Sequence, residues 1–506
     1  MLNFIDSYLD RITMYRLVLY YLIVLLGAAF LLSLLGILNY NPLGILFNSI
    51  FLVVICYITN RVFASVFKAP TNVESVYITS LILACIITPF KSLQDLPMLG
   101  FAAVLAVSSK YILAIKKKHI FNPVAIAVVL TAFGFGVSAS WWIGNAWMTP
   151  FIVLGGLLVM RKTRREHMVF MFWAVALAVI SIFTLIDGNS YVLMLDQVFL
   201  HSSFFFFAFL MFTEPLTTPP TRSLQLMYAV LIGLLFPPQV HLGSWYTTPE
   251  LALVIGNVFA YLISPRQKFV MLLSEKLQIA PDIMDFVFKP PERLRYSAGQ
   301  YFEWTFQHPQ TDSRGNRRYF TLASSPTEDT LRIGVKFYEG GSSYKKSLQK
   351  MDEKVPIVAA QLAGEFILPN DKTKKLVFVA GGIGVTPFRS MLKYLIDTKE
   401  KRDIIVLFSN KYESDIVYKD ILDQAERELG IRTVYTLTDT DKISPTWTGE
   451  KGRISSEIIQ KNIPDWRERF FYLSGPHAMV VGFETTLRQM GLPASLIKKD
   501  FFPGFV

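Results

Sequence analysis

The sequence predicts a multi-domain chain: a transmembrane α-helical bundle of about ten helices, then a small antiparallel β-barrel, then a doubly wound α/β domain. Three observations predict it. Composition changes near residue 265, from apolar and aromatic to a soluble mixture rich in Lys, Asp and Glu. Basic residues before that point fall in alternate loops between apolar runs. Far downstream, the apolar run Leu376–Ala380 meets the turn Gly381-Gly382-Ile383-Gly384, and Val385-Thr386-Pro387 opens a helix. A strand that feeds a helix through glycines aims backbone N–H groups and the positive helix end at one spot, which suits phosphate.

The chain has 506 residues, 52% of them hydrophobic, with mean hydropathy +0.38. Apolar segments are read at Leu17–Leu38, Leu43–Val66, Val76–Thr88, Met98–Ile115, Val124–Val137, Met148–Met160, Met168–Leu185, Val198–Phe212, Gln225–Phe236 and Leu251–Ser264. A full span needs ~20 apolar residues, and several segments are shorter. Short or broken spans within a bundle point to a ligand site near mid-membrane. Asp6, Asp10 and the length of the first segment argue against a secretory leader.

Charge sets the topology. Arg61 and Lys68 follow the second segment, Lys116 to Lys118 the fourth, and Arg161, Lys162, Arg164 and Arg165 the sixth. Arg222 follows the eighth, and Arg266 and Lys268 the tenth. By the positive-inside rule, the N-terminus and the soluble half face the cytoplasm of a prokaryotic-type inner membrane. A net charge of +11 is then explained by topology, and no nucleic-acid partner is expected. The two cysteines, Cys56 and Cys85, cannot hold an iron–sulfur cluster, which takes four thiolates. No metal site is expected.

Within the membrane half, Lys110 lies inside the fourth segment. It is either functional or snorkels to the nearby interface. Asn122-Pro123 breaks the chain before the fifth segment, Glu74 opens the third, and Thr213-Glu214-Pro215 ends the Phe-rich eighth. ESVYITSLILACIITP (Glu74 to Pro89), KYILAIKKKHIFNPVA (Lys110 to Ala125) and FFFFAFLMFTEPLTTPPTR (Phe204 to Arg222) resemble, in order, motifs of one membrane family. It contains the B subunit of sodium-pumping NADH:quinone reductase and the D subunit of the Rnf complex. The resemblance implies a flavin site with Glu74, Thr79, Lys110, Asn122, Thr213 and Glu214 on matching motifs. Where members attach FMN to a threonine, this chain has Phe204, so a non-covalent FMN or riboflavin is expected.

Residues 266–370 read as short strands broken by Gly and Pro, which suits a barrel. Residues 371–506 alternate strands with helices, which suits a parallel sheet. The membrane half occupies 1–265. The soluble half resembles the ferredoxin-NADP reductase family of FAD domains. Arg318-Tyr319-Phe320-Thr321 matches its Arg-x-aromatic-Ser/Thr motif. The resemblance implies that Arg318 neutralises the FAD pyrophosphate, Phe320 lies against the isoalloxazine, and Thr321 reaches flavin N5. Gly341, Ser342 and Ser343 match the second pyrophosphate clamp. Gly381, Gly382, Gly384, Thr386 and Pro387 match the nicotinamide-nucleotide loop. Ser474-Gly475-Pro476 matches a Cys-Gly-Pro motif with Ser for Cys, and Ser474 is expected to donate a hydrogen bond beside nicotinamide C4. Thr321 and Ser474 are thus the catalytic candidates. Asp500 to Phe505 match the acidic-x-Phe-x-Gly-aromatic ending, with Phe505 at the cofactor.

Ser409, Asn410 and Lys411 follow the second strand of the last domain, where an adenosine ribose or 2′-phosphate would lie. Lys411 suits NADPH, while Glu413 and Asp415 oppose its extra charge, and the balance favours NADH. The expected function is a membrane-bound flavin oxidoreductase. Cytoplasmic NAD(P)H reduces FAD, and electrons pass through a second flavin in the membrane half to a quinone or another acceptor, directly or with a redox partner subunit. The alternatives are a haem-containing reductase similar to ferric reductases and NADPH oxidases, and a transporter or channel whose soluble half senses redox state.

Overall fold

A computed structural model describes Leu9 and residues 12–67, 73–115, 118–243, 245–264, 268–308, 311–312, 315–353 and 355–500. Phe505, and the loop cations Lys68, Lys116, Lys117 and Arg266, lie outside the described residues. The chain divides into two compact units, the first ending at Gln267 and the second beginning at Lys268.

The first unit is helical. Helices form at α1 Met14–Leu34, α2 Pro42–Val66, α3 Val73–Ile86, α4 Leu96–Ile112, α5 Pro123–Phe135, α6 Thr149–Thr163 and α7 Glu166–Ile186. Then come α8 Tyr191–Leu200, α9 Phe204–Phe206, α10 Arg222–Leu235 and α11 Pro249–Ile263. Their starts follow from local chemistry. Asn41 accepts from Leu43 N at 2.9 Å and caps α2, with Pro42 in the first turn. Asn122 accepts from Val124 N at 3.1 Å and Ala125 N at 3.0 Å and caps α5, with Pro123 in the first turn. Gly136, at φ +68°, ends α5 in the left-handed region.

Helix occurs at every predicted apolar stretch, but length corrects the expectation of ten full spans. Among the described residues, four helical segments are long and apolar enough to cross a membrane: Met14–Leu34, Pro42–Val66, Leu93–Ile112 and Glu166–Ile186. Tyr191–Leu200 and Phe204–Met211, bent by 53°, make a fifth if they are one broken span. The bend continues into a π-helical turn over Phe207–Met211, closed by Phe212 N on Phe207 O at 3.0 Å. This unit's core is aromatic: Phe172 meets Phe204, Phe207, Phe212 and Phe236 with ring centroids 5.7, 5.5, 5.1 and 5.1 Å away.

The second unit opens with strands β1 Phe269–Ala280, β2 Ile283–Lys289, β3 Tyr301–Thr305, β4 Arg317–Thr321 and β5 Leu331–Lys336. Helix α12 Ser343–Gln349 and strand β6 Ile357–Ala363 complete this part. The sheet is antiparallel, in the order β4-β3-β6-β1-β2-β5. It curls until its edges approach: Ala323, just past β4, donates its N–H to Arg332 O of β5 at 2.8 Å. Inward residues Phe286, Phe288, Phe302, Trp304 and Ile333 form its buried core.

Next come β7 Leu376–Gly381, α13 Thr386–Thr398, β8 Ile404–Asn410, α14 Lys419–Leu429, β9 Arg432–Leu437 and β10 Glu450–Lys451. They are followed by α15 Ser456–Asn462, β11 Phe470–Ser474, α16 His477–Gln489 and β12 Ile497–Lys499. This sheet is parallel throughout, in the order β10-β9-β8-β7-β11-β12. β7 is central: Leu376 to Ala380 are all 0% exposed. A strand buried on both faces reads as an unbroken apolar run. Strand order reverses beside β7, with β8 on one flank and β11 on the other. That switch point is where open α/β sheets bind ligands, at the carboxyl ends of the strands.

Candidate functional site

The glycine turn stands at that switch point. Gly381 ends β7, Gly382 takes φ +52°, and Gly382–Val385 form one 3-10 turn before α13. The backbone here is crowded. A Cβ on Gly384 would fall 2.5 Å from Gly475 Cα and 2.5 Å from Ser474 O; one on Gly381 would fall 2.3 Å from Met479 Sδ and 3.3 Å from Pro476 Cδ. The register that pairs Ala380 with Ser474 sets this approach. So Gly381, Gly382, Gly384, Thr386 and Pro387 come together with Ser474, Gly475 and Pro476. Thr386 donates its hydroxyl to Ile383 O at 3.2 Å.

Ser474 corrects one expectation. Its hydroxyl donates to Asp500 Oδ2 at 3.0 Å. A serine has a single hydrogen to give, so in this state its oxygen presents only lone pairs elsewhere.

The barrel residues converge on Tyr344, which the sequence reading missed. Arg318 Cζ lies 5.1 Å from the Tyr344 ring centroid, and the Phe320 ring lies 6.1 Å from it. Tyr344 is fully buried in α12, one residue after Ser343, and donates to Trp304 O at 3.2 Å. Arg318 donates to Gly315 O at 3.2 Å and Arg317 O at 2.6 Å. Thr321 is buried at the end of β4, opposite Tyr301. Gly340, at φ +77°, turns the chain before Gly341. Ser342 caps α12, accepting from Lys345 N at 3.3 Å. Ser343 N–H donates to Asp312 Oδ2 at 2.8 Å. A carboxylate there occupies a donor that the sequence reading gave to pyrophosphate, so one anion sits where another is expected.

The two groups are linked through β5. A Cβ on Gly334 would fall 2.9 Å from Ile383 Cδ1 and 3.0 Å from Thr386 Cγ2. Asp285, opposite Gly334 in the β2–β5 ladder, is 0% exposed. It accepts from Arg332 Nη1 at 2.8 Å and from the Tyr418 hydroxyl. Burial pushes its carboxyl above the ordinary range, and the hydrogen bonds from Tyr418 and Arg332 act the other way.

The residues present fit a dinucleotide. Asn410 ends β8 with 4% exposure, and neither its side-chain oxygen nor its nitrogen has a hydrogen-bond partner. Thr436, 0% exposed on the neighbouring β9, likewise keeps an unpartnered hydroxyl. Buried polar atoms are normally satisfied, so this edge of the sheet can accept polar groups from a ligand. Asp415 is buried and Glu413 exposed. That removes one of the two surface charges on which the preference for NADH rested. Lys411 Nζ and Lys442 Nζ stand 4.8 and 5.3 Å from the Tyr412 ring centroid.

In the helical unit, the predicted residues divide. Lys110 Nζ donates to Thr79 Oγ1 at 2.8 Å and to Ser75 O and Oγ, both at 3.2 Å. Asn122 Nδ2 donates to Glu214 Oε2 at 2.9 Å, and Thr217 donates to the same oxygen at 3.2 Å. Asn122, Thr79, Thr213 and Glu214 line one cavity of about 620 Å³. Thr213 donates its hydroxyl back to Phe209 O at 2.7 Å. Glu74 is set apart: its carboxylate accepts from Arg16 Nε at 2.9 Å.

Residues 378–484 match the family model described as the oxidoreductase NAD-binding domain. The chain is 25% identical over 227 residues to the stachydrine N-demethylase reductase subunit Stc4 of Rhizobium meliloti, covering 44% of this chain and 63% of the relative. It is 27% identical over 241 residues to a flavohemoprotein of Bacillus cereus, covering 45% and 59%. The chain therefore spans less than two thirds of the length of these relatives. A crystal structure of a ferredoxin NADP+ reductase from Neisseria gonorrhoeae with FAD and NADP aligns at 20% identity and TM-score 0.39, covering 46% of this chain and 97% of that one. The second unit thus carries a ferredoxin-reductase-type NAD-binding domain within an NAD(P)H-dependent FAD oxidoreductase module.

Proposed function

We propose that the chain is a membrane-bound flavin oxidoreductase that takes electrons from cytoplasmic NAD(P)H through FAD into its helical unit and on to a quinone or another acceptor. The observation that carries the reading is the approach of the glycine turn to Gly334 on the curled sheet, with Arg318, Phe320 and Ser343 gathered around Tyr344. One module then offers a flavin cradle and a nucleotide turn. Arg318 and the backbone N–H groups after Gly341 would hold the FAD pyrophosphate, and Phe320 would lie along the ring system. Gly381 to Pro387 would hold the nucleotide phosphates, and Asn410 its adenosine end. FAD, when bound, supplies hydride acceptance and release of single electrons.

Membrane placement is supported by four sufficiently long apolar helices and by basic residues in alternate loops. A second flavin, FMN or riboflavin, is supported by the cavity that Asn122 and Glu214 line. Two cysteines leave no internal iron–sulfur step, so transfer is direct or uses a partner subunit.

The test is purified full-length protein mixed anaerobically with NADH and with NADPH. Bleaching of flavin absorbance is expected. No bleaching with nucleotide still bound would favour a redox sensor. A flavin-to-protein ratio showing FAD alone would sink the second-flavin step, and a Soret band would replace it with haem.

A further inference from the structure

Tyr418 is an unusual residue for its place. It sits at φ +56°, in the left-handed region that suits glycine or asparagine, immediately before α14. Nothing in the start of α14 needs that side chain: the helix uses its carbonyl, which accepts from Ile421 N at 3.1 Å and Leu422 N at 3.2 Å. The side chain instead crosses to the curled sheet. Its hydroxyl donates to the fully buried Asp285 of β2, and it is 8% exposed. A Cβ on Gly334 would fall 2.5 Å from the Tyr418 oxygen, so the sheet keeps a glycine where the phenol arrives. The same missing Cβ would meet Ile383 and Thr386 of the nucleotide turn. One spot on β5 thus gauges both contacts.

A second set of bonds braces the contact. Arg389, two residues after Pro387, holds Glu328 through Nη1 at 2.6 Å and Nη2 at 3.0 Å, and donates to Ala323 O at 2.8 Å. Its Cζ lies 5.7 Å from the Tyr418 ring centroid. Arg332 holds the other oxygen of Asp285. The charged groups around the phenol are therefore paired, and the Tyr418 hydroxyl makes the bond that joins α14 to β2.

We propose that Tyr418 and Asp285 are positioning residues for hydride transfer: their hydrogen bond sets the height of the glycine turn over the curled sheet, and with it the distance from nicotinamide to flavin. This rests on the reductase reading above. Neither residue touches the reacting atoms. Both fix where the nucleotide loop stands, and small misplacements of a reacting pair are costly to rate while leaving binding in place.

The test is single-turnover FAD bleaching in the full-length protein, with the limiting rate expressed per bound FAD over a series of NADH and NADPH concentrations. Tyr418→Phe is expected to lower the limiting rate roughly 10- to 100-fold, with the half-saturating concentration and FAD content unchanged. Asp285→Asn keeps an acceptor oxygen for the phenol and is expected to retain far more of the rate than Asp285→Leu. A Tyr418→Phe rate per FAD equal to the parent overturns the proposal, as does a loss confined to half-saturation or to FAD content. Should Tyr418→Phe lose its FAD entirely, equal rates in the two Asp285 variants overturn it. Parent protein bleached by neither nucleotide overturns the reductase reading and this one with it.

Discussion

The Ser474 hydroxyl donates to the Asp500 carboxylate at 3.0 Å, across the seam between the end of β11 and the residue that follows β12. Asp500 N–H in turn donates to Leu473 O at 2.9 Å, so the pair ties the nucleotide edge together twice. Hydrogen bonds to charged groups contribute about 1.5–3 kcal/mol. Ser474→Ala is expected to cost about that much, read as an earlier thermal release of FAD fluorescence. An unchanged midpoint would show that the bond adds nothing.

Arg318 is 8% exposed and lies over the Tyr344 ring. Its two carbonyl acceptors at Gly315 and Arg317 hold the guanidinium in place. Arg318→Ala is expected to yield folded protein without FAD, measured as the flavin-to-protein ratio after gel filtration. Full FAD retention would contradict the assignment.

Gly384 has backbone on the side where a Cβ would go, with Gly475 Cα and Ser474 O both at 2.5 Å. Backbone cannot swing away as a side-chain tip can. Gly384→Ala is expected to cost about 1–3 kcal/mol and to raise the half-saturating nucleotide concentration roughly tenfold, the equivalent of about 1.4 kcal/mol. Wild-type nucleotide saturation in this variant would remove the turn from the site.

Asp465 accepts from Arg469 Nε at 2.7 Å and from Lys375 Nζ at 2.9 Å. The hydrogen bond from Arg469, ahead of that from Lys375, draws its carboxyl down from 3.8 to about 2. A depressed carboxyl stabilises the fold fully above its unfolded value, and the contribution is lost as pH falls through the folded one. The stability of this domain is therefore expected to fall between about pH 4 and pH 2. Asp465→Asn should flatten that slope in acid denaturation curves, and an identical slope would exclude the pair as its source.

Asn122 joins three elements. It caps α5, donates to Glu214, and accepts nothing at its own N–H, which donates to Asn257 Oδ1 at 2.7 Å. Asn122→Leu is expected to abolish flavin in the helical unit while FAD stays, measured by extracting and separating the released flavins. Loss of both flavins together would mean global misfolding instead.

What could be read from sequence is what lies contiguous in it. The glycine turn and the Arg318–Thr321 strand are local patterns, and both stand where strand-to-helix and edge-strand logic put them. Helix positions were legible from hydropathy, with ends displaced. The predicted Met148–Met160 stops early because Arg161 and Lys162 looked like a loop, whereas α6 runs to Thr163 with Lys162 buried. Long-range pairs left no local trace. Tyr418 is 133 residues from Asp285, and Glu74 meets Arg16 from 58 residues away. Glu74 was grouped with Thr79 because they share a motif, yet only Thr79 lines the cavity. Tyr344 was hidden because nothing marks a buried tyrosine as the point where two motifs meet.

The π-helical turn at Phe207–Met211 bears on how tolerant this segment is to changes in length. Such a turn holds one residue more than an α-turn. Removing any one of its five residues would restore a regular helix and swing everything after it by about 100°. Thr213 and Glu214 would then leave the cavity, though neither had been altered. Their aim depends on a residue count upstream, so a single-codon deletion here is a stronger perturbation than most substitutions along the same helix.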